Sequence, residues 1–247
     1  MVKGSVRVSL AGFFCLWIFG LSGCAHKQPP TAPPLTASLP VQIQAQSIPL
    51  AQPACPSEIK VEDHQALAAF NQPNAGSCKP HQKKGHLLPD PKCTPGAVNS
   101  TLTLAVLKNP DFRTDCVRDK ATSPTEKAKT YGWYTQSKPE DNRGQNQACE
   151  LDHLVPLYLG GADTLENIWP QCGPNGVALS ARYFKQKDHV ELYLGERVRK
   201  GTMSLKEAQQ GIAKDWTQYI AAADAFCKSG QCGKNTNAMG MTETDDW

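Results

Sequence analysis

The chain has 247 residues, of which 40% are apolar and 20% charged, so it is neither a fibrous repeat nor wholly disordered, and it has room for one ordinary domain plus tails. Its 19 Pro and 19 Gly require sizeable irregular segments. The formal charge of +3 falls to +1 once Lys3 and Arg7 are set aside with the leader, so bulk charge does not announce a nucleic-acid binder and any basic surface must be local.

Residues 1–23 read as an export signal: Lys3 and Arg7 form a basic start, and Leu10 to Leu21 is an uncharged apolar run of twelve. That run is too short for a membrane span, which needs about 20 residues. It ends in Leu21-Ser22-Gly23-Cys24, which resembles the bacterial lipobox, in which the Cys becomes the lipidated first residue of the mature chain. Cys24 is therefore the expected lipid anchor. Ala25 after it resembles lipoproteins sorted to the outer membrane, with the folded part facing the periplasm or the cell exterior.

With Cys15 in the leader and Cys24 lipidated, eight cysteines remain: Cys55, Cys78, Cys93, Cys116, Cys149, Cys172, Cys227 and Cys232. An even number in an exported chain argues for disulfides, and the absence of any Cys-x2-Cys pair argues against structural zinc. Connectivity is open in principle. Short loops suggest Cys93–Cys116, Cys149–Cys172 and Cys227–Cys232, leaving Cys55–Cys78.

In chain order, residues 24–56 are rich in Pro, Gln, Ala and Ser and uncharged after Lys27, and read as a tether. Residues 57–86 form an irregular basic segment in which Val61 to Phe70 suits a short helix and His64, His81 and His86 read as loop residues. The folded domain is expected over 87–228 and a disordered tail over 229–247. Within the domain, Ser100 to Val106 suits either a short strand or a helix start. Thr125 to Tyr131 predicts a helix stopped by Gly132. Residues 151–157 predict a strand ended by Pro156, with a Gly160-Gly161-Ala162-Asp163 turn and a return strand over Asn167-Ile168-Trp169.

A helix is predicted from Ala178 to Lys200, with Phe184, Lys187, Glu191, Leu194 and Val198 along one stripe. A second is predicted from the Ser204 cap to Phe226, burying Ile212, Trp216, Tyr219, Ile220 and Ala223. The fold class is α+β, a hairpin and helix with additional helices, stabilised by disulfides.

The chemistry concentrates at the hairpin. An adjacent Asp152-His153 pair opens it, and Asn167 stands fourteen residues beyond the His. Hydrolysing a phosphodiester requires an activated water, neutralisation of phosphoryl charge, and help for the leaving oxygen. A neutral imidazole near pH 7 suits His153 as general base, and a divalent cation on Asp152 would meet the charge requirement. Asn167 can bind backbone or hold the imidazole in its working tautomer. Taken alone, His153 also suits a structural role, capping the hairpin with Asp152 as its hydrogen-bond partner.

With these residues in place, the chain resembles the HNH endonuclease family. The resemblance covers Glu150 to about Asn175 through Asp-His-x-x-Pro, Gly-Gly and Asn-Ile-Trp-Pro. More widely, from Cys93 to Tyr219, it is similar to exported bacterial HNH-like proteins carrying Cys-Thr-Pro-Gly-Ala, Lys187-Asp188-His189-Val190-Glu191 and the Leu205-to-Trp216 segment. The resemblance implies the ββα-metal fold, His153 as base, Asp152 as metal ligand, Asn167 as orienter, and Mg²⁺ or Mn²⁺, with Zn²⁺ the alternative. The third letter of the motif departs from the pattern. Asn175 reads as a loop residue and His189 lies away from the apolar stripe, so Asp188 and Glu191 are the preferred helix-borne ligands and His189 the other candidate. Lys185 and Lys187, near Arg197, Arg199 and Lys200, suit either helix-end electrostatics or substrate phosphate.

The expected function is metal-dependent, weakly sequence-specific hydrolysis of nucleic acid, DNA first, at the cell envelope. No protein partner is evident. Two rivals stand beside it: an envelope lipoprotein that keeps the fold as a binding module without catalysis, and a nuclease toxin domain.

Overall fold

The computed structural model of the chain describes residues 54–61 and 71–232, all within a unit that begins at Ala51. The expected leader, the lipidation at Cys24, the tether up to Pro53, the helix after Val61 with His64, and the tail after Cys232 lie outside the described residues. The architecture is α+β, with two small antiparallel sheets and five α-helices among the described residues. No helix among them is long and apolar enough to cross a membrane.

The basic segment contains a hairpin that the sequence does not announce. β1 (His81–Lys83) pairs with β2 (His86–Leu88), Lys83 opposite His86. The two-residue turn places Lys84 and Gly85 at φ 50° and 80°, the left-handed pair that matches strand twist. His86 fastens the hairpin, its Nε2 lying 2.6 Å from Gln186 Oε1 and its ring edge-on to Trp216.

Of the two options for 100–106, the helix is realised: α1 (Leu104–Leu107) begins where the Thr103 hydroxyl accepts from Val106 N. α2 (Pro124–Trp133) starts at Ser123, with Pro at the first turn. It runs through Gly132 rather than stopping there. Its last carbonyls are satisfied from outside, since Gly76 N donates to Gly132 O and Cys78 N to Trp133 O, so no glycine cap is needed.

The central hairpin joins β3 (Cys149–His153) to β4 (Ile168–Cys172) in unbroken register from Cys149↔Cys172 to His153↔Ile168. β3 ends earlier than the expected 157 because Leu154 to Gly160 turns into the loop, with a 3-10 turn over Leu157–Leu159 after Pro156. α3 (Tyr183–Arg199) follows and packs on this hairpin. It buries Phe184, Lys187, Glu191, Leu194 and Val198, the stripe read from the sequence, and Val190 with them.

The single helix expected from Ser204 to Phe226 is broken into α4 (Leu205–Asp215), a 3-10 turn (Trp216–Tyr219) and α5 (Ile220–Lys228). Asp215 makes the break, because its carboxylate accepts from both the amide and hydroxyl of Thr217, competing with the helical backbone. The kink leaves Trp216 and Ile212 fully buried, in a core with Leu154, Trp169 and Leu194.

Four disulfides form: Cys55–Cys116, Cys78–Cys93, Cys149–Cys172 and Cys227–Cys232. The last two match the short-loop expectation. Cys93–Cys116 and Cys55–Cys78 do not form, because the β1–β2 hairpin folds Cys78 back onto Cys93 and leaves Cys116 to the N-terminal Cys55.

Candidate active site

The loop between β3 and β4 is held from inside by Asn167. Its Oδ1 accepts from Val155 N at 2.9 Å, and its Nδ2 donates to Val155 O at 2.8 Å and Ala162 O at 2.9 Å. The side chain is fully buried and satisfies backbone groups that water cannot reach. It binds backbone, not the imidazole. Gly161 passes so close to Val155 that a Cβ would stand 1.8 Å from the Val155 carbonyl oxygen, so this position admits only glycine.

His153 leaves the end of β3 towards Asp163, its Nε2 2.8 Å from Asp163 Oδ1. The same oxygen receives Lys127 Nζ from α2 at 2.9 Å, while Asp163 Oδ2 accepts from Asp119 N at 2.9 Å. Lys127 and Asp163 are buried, and the His153 side chain is 12% exposed. For Asp163, burial favours the neutral acid, but the hydrogen bond and charge of His153 and the charge of Lys127 outweigh it and bring the carboxyl down to about 2. Burial lowers the His153 imidazole, with Asp163 opposing, and likewise lowers Lys127 against the pull of Asp163.

The consequence is a definite tautomer. An ionised carboxylate only accepts, so Nε2 of His153 carries the hydrogen and Nδ1 carries the lone pair. The imidazole is neutral at pH 7 with one nitrogen able to take a proton.

A second buried cluster lies behind the His153 backbone. Lys187 Nζ reaches both Asp152 oxygens at 2.9 Å and donates to His153 O at 2.9 Å, and it contacts Glu191 Oε1 more closely still. Trp169 Nε1 donates to Asp152 Oδ2 at 3.0 Å, and Tyr158 OH to Glu191 Oε2 at 3.4 Å. Burial pushes Glu191 up to about 8, with Asp152 and Asp188 adding and Lys187 opposing. For Lys187, burial is overcome by the charges of Asp152 and Glu191, which hold the ammonium above its ordinary value. Burial pushes Tyr158 well above its ordinary value too.

The structure thus gathers Asp152, His153, Asn167 and Glu191 around one hairpin, with Lys187 as the link. Asp188 borders this group and pairs at 3.2 Å with Lys185, which is partly exposed over the Phe184 ring. Burial, opposed by Lys185, raises the Asp188 carboxyl. His189 is not brought to the hairpin; it faces α5, 3.3 Å from Asp224. Lys187, read as a phosphate contact, is fully buried in ion pairs, because its position on the apolar stripe of α3 points it into the hairpin and away from solvent. Asn175 stays in its loop beside Arg182.

Sequence reasoning missed Asp163 and Lys127. Asp163 was open to discovery, as the carboxylate closing the Gly-Gly turn ten residues beyond His153. Lys127 carries no local signal.

Among the described residues no group of three His, Cys, Asp or Glu side chains is placed to hold a metal. Asp152 and Glu191 do converge on one point, with oxygen donors that suit a hard divalent cation, and that point holds the ammonium of Lys187. With the ammonium between them, the two carboxylates do not form a metal site as they stand.

No family model matches the chain, and no curated protein or solved structure matches it either.

Proposed function

We propose that this chain is a hydrolase of nucleic-acid phosphodiester bonds, DNA first, built on an HNH-type ββα-metal core formed by β3, β4 and α3. The observation that carries this reading is the buried Lys127–Asp163–His153 relay, which keeps a neutral imidazole in one tautomer with Nδ1 free to act as a base. In the reaction, His153 Nδ1 takes a proton from water as the water oxygen attacks phosphorus and the bond to the 3′ oxygen breaks. Asn167 keeps the loop, and with it Asp163, in place. Asp152 and Glu191, with Asp188 beside them, would hold Mg²⁺ or Mn²⁺, whose chemistry is to neutralise phosphate and leaving-group charge. No base-reading element is evident, so low sequence specificity follows. The Cys24 signal and the disulfides suit action at the cell envelope, on nucleic acid outside the cytoplasm.

The test is the oxidised protein incubated with plasmid DNA and with RNA, in Mg²⁺, in Mn²⁺ and in EDTA, beside His153→Ala. Cutting that needs the metal and falls by about 10²- to 10⁴-fold in the variant is the expected result. One observation favours a second reading. The Asp152 and Glu191 carboxylates are already occupied by Lys187, as suits a fold retained as a binding module. A folded wild type that cuts neither DNA nor RNA under any of these conditions selects that alternative.

A further inference from the structure

The low net charge of +3 requires any contact with a polyanion to be local, and residues 71–89 concentrate cations, with Lys79, Lys83 and Lys84 and neither Asp nor Glu. Lys79 Nζ is bound to Gly76 O at 2.9 Å, whereas Lys83 and Lys84 stand at the exposed tip of the β1–β2 hairpin. Lys83 is 51% exposed while it pairs with Asp215 at 2.7 Å, and Lys84 enters no ion pair among the described residues. The tip is braced from behind. His86 Nδ1 lies 2.9 Å from Lys84 O and its Nε2 2.6 Å from Gln186 Oε1 on α3, and the Cys78–Cys93 disulfide closes the loop that contains the hairpin. Lys84 holds φ 50°, in a turn position that favours Asn or Gly and where other side chains carry a conformational cost. The turn itself gives no reason for a lysine at this position.

Resting on the hydrolase reading above, we infer that the β1–β2 hairpin is a phosphate-contact arm, on which Lys83 and Lys84 seat the nucleic-acid backbone. A polyanion suits two adjacent ammonium groups on a rigid exposed turn, because each phosphate contact releases condensed counterions. The bracing by His86 and the disulfide lowers the ordering cost of the contact. Gln186, which holds the arm, is the neighbour in α3 of Lys187, and Lys187 donates to His153 O, so arm and base belong to one packed unit. The tip from His81 to Gly85 carries no apolar side chain to enter a bilayer, which favours nucleic acid over a lipid surface. Contacts of this kind fix the position of the strand and read no bases.

The experiment titrates a labelled DNA duplex in EDTA, with cutting suppressed, against wild type, Lys84→Asn, Lys84→Arg and Lys83→Gln/Lys84→Asn. Lys108→Gln, which removes an exposed charge at the end of α1, is the control. Lys84→Asn should weaken binding by about 5- to 10-fold at about 0.1 M salt and lower the slope of log K against log salt by about 0.9, and the double variant should lower it by about twice that. Lys84→Arg should bind as the wild type does. Asn suits a positive φ, so Lys84→Asn should melt no lower than wild type, which separates lost binding from lost fold. Affinity and slope unchanged in the double variant, or lowered as much by Lys108→Gln, overturn the arm. Absence of DNA binding overturns it too, and a hairpin-dependent preference for phosphatidylglycerol over phosphatidylcholine vesicles would then assign the surface to the membrane. Hairpin-dependent binding by a protein that cuts no nucleic acid in Mg²⁺ or Mn²⁺ refutes the hydrolase reading alone; metal-dependent cutting with KM unmoved in the double variant refutes the arm alone.

Discussion

Asp163 has two jobs at once: it fixes the tautomer of His153 and it neutralises Lys127. Asp163→Asn removes the negative charge and leaves a buried ammonium unpaired, which should cost about 3–5 kcal/mol in urea unfolding. Lys127→Met combined with it should recover part of that loss, because no buried charge is then orphaned. On the proposed hydrolase reading, cutting should stay low in the double variant, since Nε2 no longer donates to a carboxylate. Asp163 is held below its ordinary value, at about 2, so its stabilisation is complete above the unfolded carboxylate range and is lost as the pH falls towards 2. Glu191 has the opposite sign. Raised to about 8, it binds its proton more tightly folded than unfolded, so its contribution is complete at pH 4 and is lost as the pH rises through about 8. Thermal melts in EDTA should therefore show stability falling across this window, and Glu191→Gln should flatten the slope. At this scale Asp152, His153 and Asn167 were legible because hairpin spacing places them. Lys127 was not, because a residue on another helix enters the site only through packing.

The β3–β4 hairpin owes its shape to a few positions. Gly161→Ala drives a Cβ into the Val155 carbonyl and should destabilise by about 3 kcal/mol while loosening the loop that carries Asp163. The check is a lower denaturant midpoint, and a wild-type value would refute the close-packing argument. The hairpin and α3 were legible from turn chemistry and a three-to-four apolar spacing, as was the Ser204 cap that accepts from Glu207 N. The β1–β2 hairpin was not, because its strands are three residues each and β1 is wholly exposed, leaving no apolar alternation to read. The break between α4 and α5 escaped for a related reason. Asp215 is tolerable in a helix, and only its hydrogen bonds to Thr217 in the folded chain show that it ends one.

Across the molecule the disulfides decide which segments belong together. Cys55–Cys116 spans 61 residues and ties the irregular segment at the start of the described residues to the turn before α2, whereas Cys227–Cys232 spans only 5. In the chain-entropy account, replacing both cysteines of the long loop by Ser should cost about 4 kcal/mol and of the short loop about 2 kcal/mol. Calorimetric melts of the two double variants check the order, and a reversed order would show that strain or residual unfolded structure dominates.

From the sequence alone came the α+β class, the even cysteine count, the central hairpin with its Asp-His pair and Asn, and the buried stripe of α3. These are local matters, set by turn residues, residue periodicity and spacing over a few positions. Tertiary structure alone decided that Cys78 meets Cys93, that Lys127 reaches Asp163, that His189 faces α5, and that Lys187 occupies the point between Asp152 and Glu191. Each of those joins groups from separate elements, and which of many possible partners a side chain meets is settled by how the elements pack.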